Sequence, residues 1–231
     1  FLSTVITRLA INLMTSARVR REAYVGPWLP DPVDTSADPT LGAESREAVS
    51  LAVLLLMERL TPAERAAYVL RKAFDYSYAE IAAVVEVSEV SARQLVSRAT
   101  KHLESRPAQQ VPDGEASRLL EAFLSAARLG DVARLEALFA QDVVSLADSG
   151  GLTTSASRVP LLGRERVAAV VAAFSDTYWV GVTPRLREIN GEIAMEMSRD
   201  GQRFGVLALT GSDAGITQVL WLVNPEKVAA L

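Results

Sequence analysis

Five side chains between residues 93 and 101 share a chemistry suited to a double-stranded polyanion. Arg93, Gln94, Ser97, Arg98 and Lys101 recur at helical spacing, and no carboxylate stands among them. An arginine can grip a guanine edge with two donors, a glutamine can do the same for adenine, and lysine or serine can reach phosphate. Ser88, just ahead of this run, can cap the helix start and face the same way. A plain helical hairpin with a solvated polar face shows the same spacing, so these residues alone leave both readings open.

The flanking sequence supplies the elements that would aim such a face. Ser77 with Glu80 is a capping box, after which Tyr78, Ile81, Ala82 and Val85 fall on one side of a short helix. Glu86-Val87 makes a tight turn, and in the next helix Ala92, Leu95, Val96, Ala99 and Leu103 form the inward stripe. Two short helices with a tight turn read as a helix-turn-helix. The turn position that usually takes glycine holds Glu86, at a cost of about 1 kcal/mol if left-handed. Upstream, Thr61-Pro62-Ala63-Glu64 combines an N-cap, a proline at the first helical position and a capping-box glutamate. A further helix is expected over 45–60, with Ala48, Leu51, Ala52 and Leu55 inward. Arg71 and Lys72 can touch phosphate or remain plain surface.

Composition narrows the class. The chain has 231 residues, no cysteine, one histidine (His102) and a formal net charge of −4. A disulfide framework and a thiol switch are excluded. No apolar run approaches the roughly 20 residues that span a bilayer, and the start lacks a signal-peptide cleavage site. Residues 1–106 carry 13 Lys/Arg and 13 Asp/Glu, whereas 107–231 carry 11 and 15, so the acidic half is a poor DNA-contact surface.

Residues 1–23 read as one amphipathic helix, with Leu2, Val5, Ile6, Leu9 and Leu13 buried and Arg8, Asn12, Thr15 and Arg18 on another face. The pattern starts without a cap, like the tail of a domain. Prolines 27, 30, 32 and 39 then mark an extended linker. A second polar, proline-bearing linker follows Leu103. Beyond it, helices at 117–129 and 131–140, a strand at 143–147, a helix opening at Gly163-Arg164-Glu165-Arg166 and strands near 183–189, 192–198, 203–210 and 216–223 compose an α+β domain. Asn190-Gly191 and Asp200-Gly201 are hairpin signals, and 211–215 makes a third turn.

The segment LTPAERAAYVLRKAFDYSYAEIAAVVEVSEVSARQLVSRATKHL resembles the fourth domain of an extracytoplasmic-function (ECF) sigma factor. That domain docks a helix-turn-helix on the −35 promoter element. TRLAINLMTSARVRREAYVGPWLPDP resembles the DNA-reading end of sigma domain two, running into the linker of a group with a W-L-P-E-P phrase and a SnoaL-like C-terminal extension. The resemblance implies a multidomain chain, all-α sigma domains followed by an α+β SnoaL-like cone with a curved antiparallel sheet. Residues 1–25 would end sigma domain two, 26–44 form a Pro-rich linker, 45–106 sigma domain four, 107–116 a linker and 117–231 the cone.

The same resemblance implies roles. Ser88, Arg93, Gln94, Ser97, Arg98 and Lys101 would face the −35 element, and Arg8, Asn12, Arg18, Arg20 and Arg21 the −10 side. The group's D-G-G-G-K and N-P-D-K-L phrases correspond to Asp148-Ser149-Gly150-Gly151-Leu152 and Asn224-Pro225-Glu226-Lys227-Val228. With Trp28 and Pro30 of the linker, Asp148, Gly150, Gly151, Asn224, Pro225 and Lys227 are expected to mediate regulation between the cone and the sigma domains. Promoter DNA and core RNA polymerase are the expected partners in a cytoplasmic, stress-response setting, with no membrane, metal or cofactor. Two rival readings are a DNA-tethered sensor of an unknown small molecule and a SnoaL-like cyclase or isomerase. For the latter, Asp148, Asp176, Glu192 and Glu196 are the candidate acids and are expected to be solvated. Tyr178, Trp179 and Trp221 would line a cavity or fill the core.

Overall fold

The computed structural model describes residues 2–21, 24–36, 51–104, 113–153 and 156–231, with the side chains of residues 3, 14–21, 51, 52, 104 and 113 outside that description. The expected helix segment 45–50, Pro39 and most of the second linker lie outside the described residues. The chain divides into two compact units, Phe1–Ala23 with Val53–Pro107, and Tyr24–Ala52 with Ala108–Leu231.

The first unit contains α1 (Leu2–Arg21), α2 (Leu51–Met57), α3 (Pro62–Ala73), α4 (Tyr78–Val85) and α5 (Glu89–Glu104). Both expected capping boxes form, Thr61 with Glu64 ahead of α3 and Ser77 with Glu80 ahead of α4. The Ser88 hydroxyl accepts from the Ser91 amide at 3.1 Å and so starts α5. Ala67, Leu70, Ile81, Ala82, Val84, Ala92, Leu95 and Val96 make one shared core. On α4 the buried valine is Val84, with Val85 half-buried, a shift of one position within the expected face.

Helix α1 departs from expectation. Leu2, Ile6, Leu9 and Leu13, read as a buried stripe, are each more than half exposed. The physical reason is that the helix meets α3 and α4 along one narrow line, where Leu2, Ile6 and Ala10 share a groove with Ala66, Val69 and Leu70.

In the second unit, α6 (Asp113–Leu129) begins four residues earlier than expected, and α7 (Val132–Leu138) ends two earlier. β1 (Phe139–Asp148) takes over at once, giving a longer strand than 143–147. β2 (Leu161–Leu162), α8 (Arg164–Ala173) and α9 (Ser175–Tyr178) follow, then β3 (Val182–Ile189), β4 (Glu192–Arg199), β5 (Gln202–Ser212), β6 (Gly215–Leu222) and α10 (Pro225–Val228). The order is β2-β1-β6-β5-β4-β3, an open sheet in which β1 runs parallel to β6 and every other pair is antiparallel. Both hairpins turn where expected, with positive φ at Asn190, Gly191, Asp200 and Gly201. The core joins Leu120 and Phe123 of α6, Val167 and Val171 of α8, and Phe139, Met195, Met197, Leu207 and Val219 of the sheet.

Residues 24–36 form an extended strap that belongs to this second unit. Leu29, Pro30, Pro32 and Thr35 are buried, and Asp34 bridges to Ile189 at the end of β3.

Glu86 does adopt the left-handed conformation, with φ of 61°. Its carboxylate meets Arg8, but that pair is solvent-exposed and of small worth. Glu86→Gly should therefore stabilise the helical unit by about 1 kcal/mol in a urea melt, because relief of backbone strain exceeds the lost pair. A loss of stability would contradict this.

Candidate nucleic-acid interface and strap anchor

Helix α5 is rooted on one side and open on the other. Ala92, Leu95, Val96 and Ala99 are buried, whereas Ser88, Arg93, Gln94, Ser97, Arg98 and Lys101 are exposed. The structure thus brings all six expected residues to the surface. They are not equally available. Arg98 donates through Nε to Glu64 Oε1 at 2.8 Å, and Glu64 is the capping-box residue of α3. One arginine therefore ties the outer helix to the helix beneath it. Arg93 makes only a 3.4 Å contact to Glu89 and lies over the Tyr78 ring at 4.9 Å. Arg71 lies over the same ring at 5.2 Å and donates to the Tyr76 carbonyl at 2.9 Å. Arg71, Lys72, Arg93 and Lys101 line one groove beside Ser97 and Thr100, with Asp75 as its single acid. Such a groove can take a phosphate chain along its length. Tyr78, expected only as a core residue, is the aromatic platform that sets two of these guanidinium groups.

Among the residues expected on the −10 side, Arg8 sits at the C-terminal end of α4. Its guanidinium donates to the carbonyls of Ala83 and Val84, both at 3.3 Å, and pairs with Glu86 at 2.8 Å. A cation there meets the negative end of the helix dipole. Asn12 is exposed on α1, and Arg18, Arg20 and Arg21 lie on α1 with side chains outside the described residues.

The strap anchor is a second constellation. Asp148, at the end of β1, has no solvent exposure, against the expectation of a solvated acid. Oδ2 accepts from the Leu29 amide at 2.8 Å and from Lys227 Nζ at 2.9 Å, while Oδ1 accepts from the Tyr24 hydroxyl and from the Gly150 amide at 3.2 Å. Lys227 also donates to the Leu29 carbonyl and stands 4.1 Å from the Trp28 ring centre. Asn224 caps α10 through Oδ1 and donates from Nδ2 to the Tyr24 hydroxyl at 2.8 Å. Burial, reinforced by the neighbouring Asp148 carboxylate, pushes the Tyr24 phenol far above its ordinary range, so it remains a donor. Pro225 opens α10 as its first residue.

The two glycines have steric reasons. A Cβ on Gly150, at φ +60°, would sit 2.8 Å from Asn224 Nδ2, and one on Gly151, at φ +75°, would sit 2.8 Å from Val25 Cβ. Of the eight residues expected to regulate, Trp28, Asp148, Gly150, Gly151, Asn224 and Lys227 meet where the strap joins β1 and α10, Pro30 is buried in the strap, and Pro225 opens α10.

A second clamp went unseen in the sequence. Arg187 of β3 pairs with Asp34 of the strap and with Glu196 of β4, and Glu196 also receives Arg203 at 3.0 Å. The Asn190 side chain accepts from the Val33 amide at 3.1 Å, and Thr35 Oγ1 accepts from the Gly191 amide at 2.8 Å. Asn190-Gly191 carried a turn signal. Nothing local announced that its side chain would also bind residues some 150 positions upstream.

Of the acids named for chemistry, Asp148 and Glu196 are thus committed to strap and sheet, and Asp176 is exposed. No described helix is long and apolar enough to cross a membrane, and no group of metal-binding side chains occurs among the described residues.

Glu64 gives the helical unit a pH signature. Burial pushes its carboxyl up, but the bonds from Arg98 and Thr61 outweigh that and hold it below its ordinary 4.5. A depressed folded pKa adds stability that is complete above the unfolded value and fades as pH falls through the folded one. Thermal melts between about pH 7 and pH 3 should show Glu64→Gln with a shallower acid loss than the parent. Identical slopes would contradict this.

Residues 50–103 match the family model described as Sigma-70, region 4. The chain is 32% identical over 241 positions to the ECF RNA polymerase sigma factor SigJ of Mycobacterium tuberculosis, covering 98% of this chain and 77% of that protein. It is 29% identical to the probable ECF RNA polymerase sigma factor SigI of the same species, covering 100% and 78%. The crystal structure of M. tuberculosis SigJ is similar at a TM-score of 0.74 and 27% identity, over 98% of this chain and 80% of that one. This chain therefore belongs to the ECF RNA polymerase sigma factors of the SigJ type.

Proposed function

We propose that this chain directs RNA polymerase to promoters for transcription initiation, with the outer face of α5 reading the −35 element and the SnoaL-like domain governing that activity in cis. The observation that carries the first part is the exposed run of Arg93, Gln94, Ser97 and Lys101 on a doubly capped helix-turn-helix. Promoter DNA and core RNA polymerase follow as partners from membership of the family. In this reading Arg93, stacked on Tyr78 and only weakly paired, specifies bases. Arg98, bound to Glu64, positions the helix and touches backbone.

Support for cis governance comes from chain connectivity. The strap of residues 24–36 lies in sequence between α1 and the helices of region four, and its Leu29 amide and its Tyr24 and Asp34 side chains are bonded to the sheet domain. A free tether of that length would leave its ends loosely coupled, since loop entropy changes only slowly with length. A tether fixed to a folded body has both exits defined. Even a coupling of ~1–3 kcal/mol would then change promoter output several-fold.

The −35 reading is tested with purified core polymerase and the intact chain on a promoter panel varied at that element. Arg93→Ala should weaken binding to the preferred −35 sequence by about 1–3 kcal/mol and relax preference at one position. Full retention of affinity and preference would remove Arg93 as a base reader.

A further inference from the structure

Asp75 is out of place in the groove of the helical unit. Arg71, Lys72, Arg93 and Lys101 line that groove, and Asp75 is the one acid among its described lining residues. It follows the C-cap residue of α3 with φ at 52°, in the left-handed region that favours glycine. The turn closes through the main chain, because the Tyr76 amide donates to the Leu70 carbonyl at 3.1 Å. Aspartate is tolerated in that conformation chiefly when its side chain finds a local hydrogen bond. Here the residue is exposed, and no hydrogen bond or ion pair holds its carboxylate among the described residues. A side chain that strains the backbone and does nothing for the turn points to a role in what the groove receives.

The neighbouring cations leave that charge uncompensated. Arg71 donates to the Tyr76 carbonyl at 2.9 Å and lies over the Tyr78 ring, and Arg93 lies over the same ring at 4.9 Å. Stacking on a ring face leaves the edges of a guanidinium free to donate, so these groups remain able to meet phosphate. Lys72 and Lys101 are exposed. A phosphate chain lying along the groove would pass Asp75 well within the roughly 8–10 Å over which salt screens surface charge. Its oxygens would then be drawn by four cations and repelled by one carboxylate.

We propose that Asp75 restrains sequence-independent DNA binding: its carboxylate opposes the phosphate backbone that the surrounding cations attract, and so limits the grip of the free chain on arbitrary duplex. This rests on the reading of the groove as the path of the DNA backbone. Every duplex presents the same phosphates, so the restraint acts on affinity and leaves −35 preference to the base-reading side chains.

The test is a titration of the intact chain with a labelled duplex of random sequence, read by fluorescence anisotropy over a range of salt concentrations. Asp75→Asn removes the charge, keeps the shape and still accepts positive φ, so the melts of the two free proteins should coincide. It should bind roughly threefold to tenfold more tightly at low salt, with a salt slope steeper by up to about one. The gain should be equal on duplexes varied at the −35 element, and Asp75→Gly, which suits the turn, should show it too. Lys101→Ala checks the groove itself and should weaken binding and flatten the slope. If Lys101→Ala binds as the parent does, the groove reading fails and the proposal goes with it. If Lys101→Ala weakens binding while Asp75→Asn and Asp75→Gly leave it unchanged or weaker, the groove stands and the proposal alone is overturned. A gain confined to one −35 sequence would overturn it as well.

Discussion

A carboxylate with no access to water must have its oxygens met by donors, or it costs several kcal/mol and neutralises. Asp148 is such a group, and its donors come from two parts of the chain far apart in sequence. Tyr24 and the Leu29 amide arrive from the strap, and Lys227 arrives from the C-terminal helix. The strap gives each oxygen one donor, and the Gly150 amide and Lys227 each add a second. Lys227 closes the circuit, because its ammonium also takes the Leu29 carbonyl and faces the Trp28 ring. The geometry needs glycine at 150 and 151, since any side chain there would collide with Asn224 or Val25. One buried charge therefore explains why the strap lies where it does and why two short phrases, some 75 residues apart, have the composition they have.

Fastening a connector changes what the connector does. Residues 24–36 follow α1 and lead towards the helices of region four, so a body that grips them fixes part of the only covalent path between those elements. Two acids of the SnoaL-like domain are taken up in structural bonds. Asp148 holds the strap, and Glu196 joins Arg187 and Arg203 across the sheet.

The helical unit was largely legible in its sequence because its determinants are local. Thr61-Glu64 and Ser77-Glu80 specify helix starts within four residues, Glu86 marks a turn it strains to make, and the stripe of α5 sorts buried from exposed at period 3.6. The hairpins at Asn190-Gly191 and Asp200-Gly201 were legible for the same reason. What escaped was long-range. The stripe on α1 suggested burial, but α3 and α4 cover only one line of it. In the sequence of β4, Ile193, Met195 and Met197 alternate with Ala194, Glu196 and Ser198 as in a half-buried strand, yet Ala194 is buried too. It shares a face with Glu196, whose partner Arg187 holds Asp34 of the strap. Asp148 read as a solvated strand end because nothing near it in sequence shows Tyr24 or Lys227 approaching. Family resemblance selected the residues of the anchor, and only the fold shows the bonds that join them.

The most direct test of governance through the strap is promoter-dependent transcription by purified core polymerase supplied with the intact chain or with Asp148→Asn, on templates with identical and with varied −35 elements. Asparagine keeps the shape of the side chain but removes the charge that draws Lys227 and Tyr24 together. A several-fold change in output with the same −35 preference is expected. Equal output from the two proteins would contradict it.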